Sequence, residues 1–209
     1  MKTSYFLNFI LAAALVYLAV LYAGKPEPVA QEATVTDSNS MEFILSRTSV
    51  RSYSSREVTR AQIDTLLRAA MAAPTAMNKQ PWQFVVIDDR VLLDSISSRF
   101  PNISMASKAQ VAVVVCGDMS KTIGGEGRDY WIQDCSAATE NLLLAANAAG
   151  LGAVWCGIYP VSERVSALTA MLGLPDGIVP LCVVPVGYPE GVSAPKDKYD
   201  SSKIHYNRF

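Results

Sequence analysis

Within Ala109 to Gly117, an uninterrupted apolar run from Val111 onward carries Val111, Val113, Val114 and Val115. Side chains of an extended strand alternate between two faces, so a run that is apolar throughout needs cover on both. β-Branched residues favour the strand, because their branched side chains pack well on a pleated surface. The rest of the domain must therefore wrap this segment from two sides.

The cover reads as helices. Thr59 with Gln62 makes a capping box, and Ile63, Leu66, Leu67, Ala70 and Met71 follow at helical spacing until Pro74 stops the helix. Burying each large member of that stripe is worth roughly 1.5–3 kcal/mol, so the stripe is core. Ser40 can cap a short helix through Leu45, and Val91 to Phe100 is helical. Arg128 to Ala149 is long and apolar on most sides, hence central, and Gly150 and Gly152 end it. Glu163 to Leu172 is a further helix, with Ser162 as its cap and Gly173 beyond its end. Gln83–Asp88, Ala153–Ile158 and Ile178–Val186 read as strands. The order predicts an α+β domain with a mixed or mainly antiparallel sheet surrounded by helices. No GxGxxG follows the first strand, so the Rossmann phosphate loop is missing. Gly124-Gly125-Glu126-Gly127 lacks the P-loop Lys-Ser/Thr and is read as a surface loop.

Ahead of the domain, Tyr5 to Ala23 is apolar except for Asn8, long enough to cross most of a ~30 Å hydrocarbon core. Residues 1–23 are expected to be an uncleaved membrane anchor. A cleaved signal or a buried globular helix are the alternatives. Lys2 and Lys25 flank the span, so the charge bias is weak, with the domain expected on the extracytoplasmic side. Residues 24–39 are polar and proline-bearing, which reads as a flexible linker. The folded domain is expected over 40–209.

Composition narrows the chemistry. With 18 Lys plus Arg against 19 Asp plus Glu, no basic excess points to nucleic acid. His205 is the single histidine, so a histidine-rich metal site or a Ser-His-Asp triad is disfavoured. Four cysteines, at 116, 135, 156 and 182, have no metal-ligand spacing and read as small buried hydrophobes. An enzyme of this composition would rely on a bound cofactor for its hard chemistry.

Three patches carry chemical meaning. In Arg47-x-Ser49-x-Arg51, an extended backbone would aim two guanidinium groups and a hydroxyl the same way, an arrangement suited to phosphate. A solvated basic turn is the competing reading. In Ala73 to Trp82, two prolines restrain a loop that presents Pro74, Thr75, Ala76, Asn78 and Gln80. Its amides match the N–H and C=O edge of a heteroaromatic ring. Trp82 alone reads as core. Lys196-x-Lys198 by itself would be an ordinary solvated pair.

Together the first two patches resemble the FMN-binding nitroreductase family, which carries an RxSxR-like signature followed by A-P-[ST]-x-x-N-x-Q-P-W. Gln133 to Ala146 is similar to that family's central helix, and Gly150 to Gly157 to its following strand and flavin-edge turn. The resemblance runs from about residue 41 to the C-terminus. It implies FMN as cofactor, NADH or NADPH as donor, and a small-molecule acceptor such as a nitroaromatic or a quinone. It also implies a homodimer with FMN at the interface, with no dedicated catalytic side chain. By the same resemblance, Lys196 and Lys198 would close the phosphate site, and Gly157 would present its N–H toward flavin N5. Where many relatives have Pro-x-Glu-Gly, this chain has Trp155-Cys156-Gly157. A specialised flavin reductase or reductive dehalogenase, with a lid near Gly124 to Trp131, is one alternative. A non-catalytic FMN-binding redox module is the other.

Overall fold

Strand β2 (Val111–Asp118) is the apolar run, and it lies inside the sheet with its first seven residues buried. The computed structural model describes residues 38–191 and 193–209, with Tyr17 before them. Apart from Tyr17 the expected N-terminal span lies outside the described residues, none of which belongs to a helix long and apolar enough to cross a membrane. In chain order the elements are α1 (Ser38–Leu45), α2 (Arg60–Met71), β1 (Trp82–Ile87), α3 (Arg90–Arg99), β2, α4 (Tyr130–Ala148), β3 (Gly152–Ala153), β4 (Cys156–Gly157), α5 (Ser162–Leu172) and β5 (Ile178–Gly187). The sheet runs β1-β2-β5-β3, with β4 also on β5, and every strand pair is antiparallel.

The alternation of β2 divides the interior in two. Val111, Val113 and Val115 join Ile63, Leu66 and Ala70 of α2 and Ala138 and Leu142 of α4. Ala112, Val114 and Cys116 face the other way, onto Leu93 and Ile96 of α3, Ile103 of the following turn and Leu168 of α5. Between Val115↔Cys182 and Cys116↔Pro180 the register slips, leaving Leu181 as the extra residue of a bulge. Leu181 and Cys182 consequently share one core. The Leu181 carbonyl accepts from the N–H of both Ile158 and Tyr159 at 3.0 Å.

The capping box forms: Thr59 Oγ1 accepts from Gln62 N at 3.3 Å, and Gln62 Oε1 from Thr59 N at 3.0 Å. Ile63, Leu66 and Ala70 are buried, but Met71 is 51% exposed. It lies about 100° round the helix from Ala70, past the margin of the apolar stripe. Ser162 does not cap α5; Val161 occupies that position with no side-chain cap, while Gly173 does end the helix in the left-handed conformation. The expected strand Ala153–Ile158 is two short pieces. Ala153 faces Val186 and Cys156 faces Val183, so the register continues and only the ladder lapses at Val154 and Trp155.

All four cysteines are buried and free. Trp82 is core, as expected of it taken alone.

Candidate functional site

The Arg47–Tyr53 segment joins the sheet edge. Ser49 bridges Ala153 in parallel, and Val50 N–H donates to the Ala153 carbonyl at 3.0 Å. Val50 points inward, so closely against Gly152 that a Cβ there would lie 2.6 Å from its Cγ1. Extended geometry then turns Ser49 and Arg51 to the opposite side. Tyr53 fixes the far end by donating its hydroxyl to the Val50 carbonyl at 2.7 Å and the Pro185 carbonyl at 3.1 Å. Arg47 Nε lies 3.6 Å from Glu140 Oε1 of α4, with the Arg47 side chain largely covered. Arg51 is exposed, its Nη1 3.5 Å from the Ser49 carbonyl.

Trp155, Cys156 and Gly157 lie on this same edge, directly after β3. Ile158 N–H is bonded to β5, and alternate N–H groups of an antiparallel strand face opposite ways, so Gly157 N–H faces away from β5. The Gly157 carbonyl, on that outward side, accepts from Arg164 Nη1 at 3.2 Å and Asn102 Nδ2 at 3.4 Å. A Cβ at Gly157 would meet nothing within 4 Å. The protomer itself therefore does not require glycine here, and the open space fits a ligand pressed against the backbone. Burial pushes the Cys156 thiol up to about 11, and nearby Arg51 pulls it the other way. Cys156 is thus a neutral thiol near pH 7, not a nucleophile.

The second patch takes an irregular shape. Met77, Asn78 and Gln80 have φ of +50, +53 and +47, a region that non-glycine residues visit sparingly. Thr75 Oγ1 accepts from Gln80 N at 3.2 Å, and Gln80 Nε2 donates to Asn78 Oδ1 at 2.8 Å. Pro74, Thr75 and Ala76 line a cleft of about 330 Å³ with Tyr130, Gln133 and Asp134.

Within one chain these patches do not meet. The loop contacts α4 at Asp134 and the arginine segment at Glu140. Six residues separate those positions by about 9 Å along the helix and about 120° around it. Lys196 and Lys198 are exposed in a tail whose hydrogen bonds, among the described residues, are local, such as Tyr199 N–H to Asp197. A cleft of about 540 Å³ between α2 and the outer edge of the sheet is lined by none of the predicted site residues.

Three polar residues went unrecognised in the sequence: Asn102 and Arg164, which hold the Gly157 carbonyl, and Asp134. Asp134 had a legible signal, an acid inside a helix apolar on most sides. Asn102 and Arg164 had none, since their contacts come only with the fold. Of the lid candidates, Trp131 is buried and packs edge-on against Tyr159, with centroids 5.0 Å apart. Tyr130 remains half exposed at the cleft.

Comparison with known proteins identifies the family. The family model described as the Nitroreductase family matches residues 44–102 and 98–188. An Archaeoglobus fulgidus protein, provisionally named an NADH dehydrogenase/NAD(P)H nitroreductase, is 42% identical over 172 residues, covering 81% of this chain and 98% of its own length. A crystal structure from Parabacteroides distasonis, with the same provisional name, superposes at a TM-score of 0.78 with 44% identity, covering 82% of this chain and 99% of that one. A Desulfovibrio desulfuricans protein, provisionally named a nitroreductase and solved in complex with FMN, has a TM-score of 0.71 and 27% identity over 81% of this chain and 96% of its own. The match spans both arginine and loop patches, the central helix and the Gly157 turn, and the chain belongs to the nitroreductase family.

Proposed function

We propose that this enzyme takes hydride from NADH or NADPH through bound FMN and passes it to a small-molecule acceptor, a nitroaromatic or a quinone. FMN is the cofactor and supplies the redox chemistry when bound. The observation that carries the reading is the shared sheet edge, where the Ser49–Ala153 bridge sets the arginine segment beside the Gly157 turn. Arg47, Ser49 and Arg51 suit the phosphate, because two planar donor forks and a hydroxyl can each meet an oxygen. Gly157 leaves backbone accessible for the ring edge, and Trp155 and Cys156 frame it. Pro74, Thr75, Ala76, Asn78 and Gln80 offer a restrained polar wall for the ring's other edge.

Because the two patches sit apart on α4, we place FMN at a homodimer interface, with the arginine edge of one copy facing the loop of the other. The exposed Lys196 and Lys198 then close the phosphate site. Residues 40–209 form the FMN-binding domain in this reading. Residues 24–39 are its linker and 1–23 its membrane tether, with the domain on the extracytoplasmic side, where a membrane electron donor could replace reduced nicotinamide. Deleting 1–23 should release the protein from washed membranes.

The lid-bearing alternative has less support, since Trp131 belongs to the core. Titration of apoprotein with FMN tests the site. Arg47→Ala and Arg51→Ala each remove charge-assisted bonds worth about 1.5–3 kcal/mol, so each should weaken FMN roughly ten- to hundredfold. Unchanged affinity in both variants would refute the phosphate assignment.

A further inference from the structure

We infer that Asp134 is a positioning residue that sets the Pro74–Gln80 loop in the shape that receives the cofactor, an inference resting on that loop's assignment to FMN. Asp134 is 6% exposed. A carboxylate withdrawn from water needs compensation, and no ion pair supplies it among the described residues. Its partner is the backbone of the loop: Oδ1 accepts the Ala76 N–H at 2.8 Å across 58 residues of sequence. The other side-chain bonds of the loop, Thr75 to Gln80 N–H and Gln80 to Asn78, hold it only to itself. At its far end the Pro81 carbonyl accepts from Asp118 N–H at 2.7 Å.

Between those two anchors lie the three residues with positive φ. Such conformations persist only when the surroundings over-determine them. Ala76 immediately precedes the first of them, so its bond to Asp134 is where the helix imposes the loop's course. Asp134 and the loop also line the same cleft with Tyr130 and Gln133, so the carboxylate anchors the wall that faces the ligand.

The full chain tests this with Asp134→Ala, Asp134→Asn and Ala76→Pro. Ala76 opens the short helical turn and Thr75 before it is extended, so proline removes the N–H donor where proline is well tolerated. Asp134→Ala and Ala76→Pro should each weaken FMN roughly ten- to hundredfold. Amide exchange should rise over residues 73–80 while β2 and β5 keep their protection. Asp134→Asn, which retains an acceptor oxygen, should recover most of the affinity. Exchange rising equally through β2 and β5, or a failure of Ala76→Pro to weaken FMN, would overturn the inference. So would Asp134→Asn behaving as badly as Asp134→Ala. Asn78→Ala separates the premise from the inference. If it weakens FMN while Asp134→Ala does not, the loop assignment stands and Asp134 is not its anchor; if neither weakens FMN, the assignment itself has failed.

Discussion

Gly157 borders open space. The protomer leaves room for a side chain there, and its φ is not in the left-handed range, so the fold alone does not demand glycine. Gly157→Ala should therefore keep or slightly raise stability, by up to about 1 kcal/mol through a less flexible unfolded chain. Turnover and FMN affinity should fall if the flavin ring is seated there as proposed, because the methyl group would occupy that space. Thermal unfolding of apoprotein measured beside FMN titration checks both halves. A destabilised apoprotein with normal FMN affinity would mean that the glycine serves packing. Arg164 and Asn102 act next to it, holding its carbonyl from α5 and from the turn after α3.

At the scale of elements, α2 shows what local chemistry can specify. Its cap, stripe and stop are all near neighbours in sequence. Thr59→Ala should cost about 0.5–2 kcal/mol and leave FMN affinity unchanged, as chemical denaturation and titration would show. The same legibility held for β2, whose valine run called for two covers and received them from α2 with α4 and from α3 with α5. Legibility failed where pairing is distant. Nothing local marks the bridge from Ser49 to Ala153, the bulge at Leu181 or the lapse of the ladder at Val154, because each depends on a strand more than 20 residues away. The candidate site divided likewise. Motif residues could be named through their resemblance to a family signature, whereas Asn102 and Arg164 hold the Gly157 carbonyl only through contacts across the fold.

For the molecule as a whole, the buried thiols make stability depend on alkaline pH. Burial raises Cys116 and Cys135 from 9.0 to about 12, so the folded state keeps protons that the unfolded chain releases earlier. Their contribution is complete below about pH 9 and is lost as pH rises toward 12. Urea midpoints measured from pH 7 to 11 should be level at first and fall above about 9; a midpoint that rises in that window would contradict the burial of these groups. The separation of the two candidate patches along α4 likewise belongs to the whole molecule, since one chain holds them apart.

That this fold holds FMN and cycles it is tested by the visible spectrum of purified protein under argon, before and after addition of NADH or NADPH. Flavin bands are expected in the purified protein, bleached by reduced nicotinamide and restored by a nitroaromatic or quinone acceptor. Folded, colourless protein that also fails to take up added FMN would contradict it.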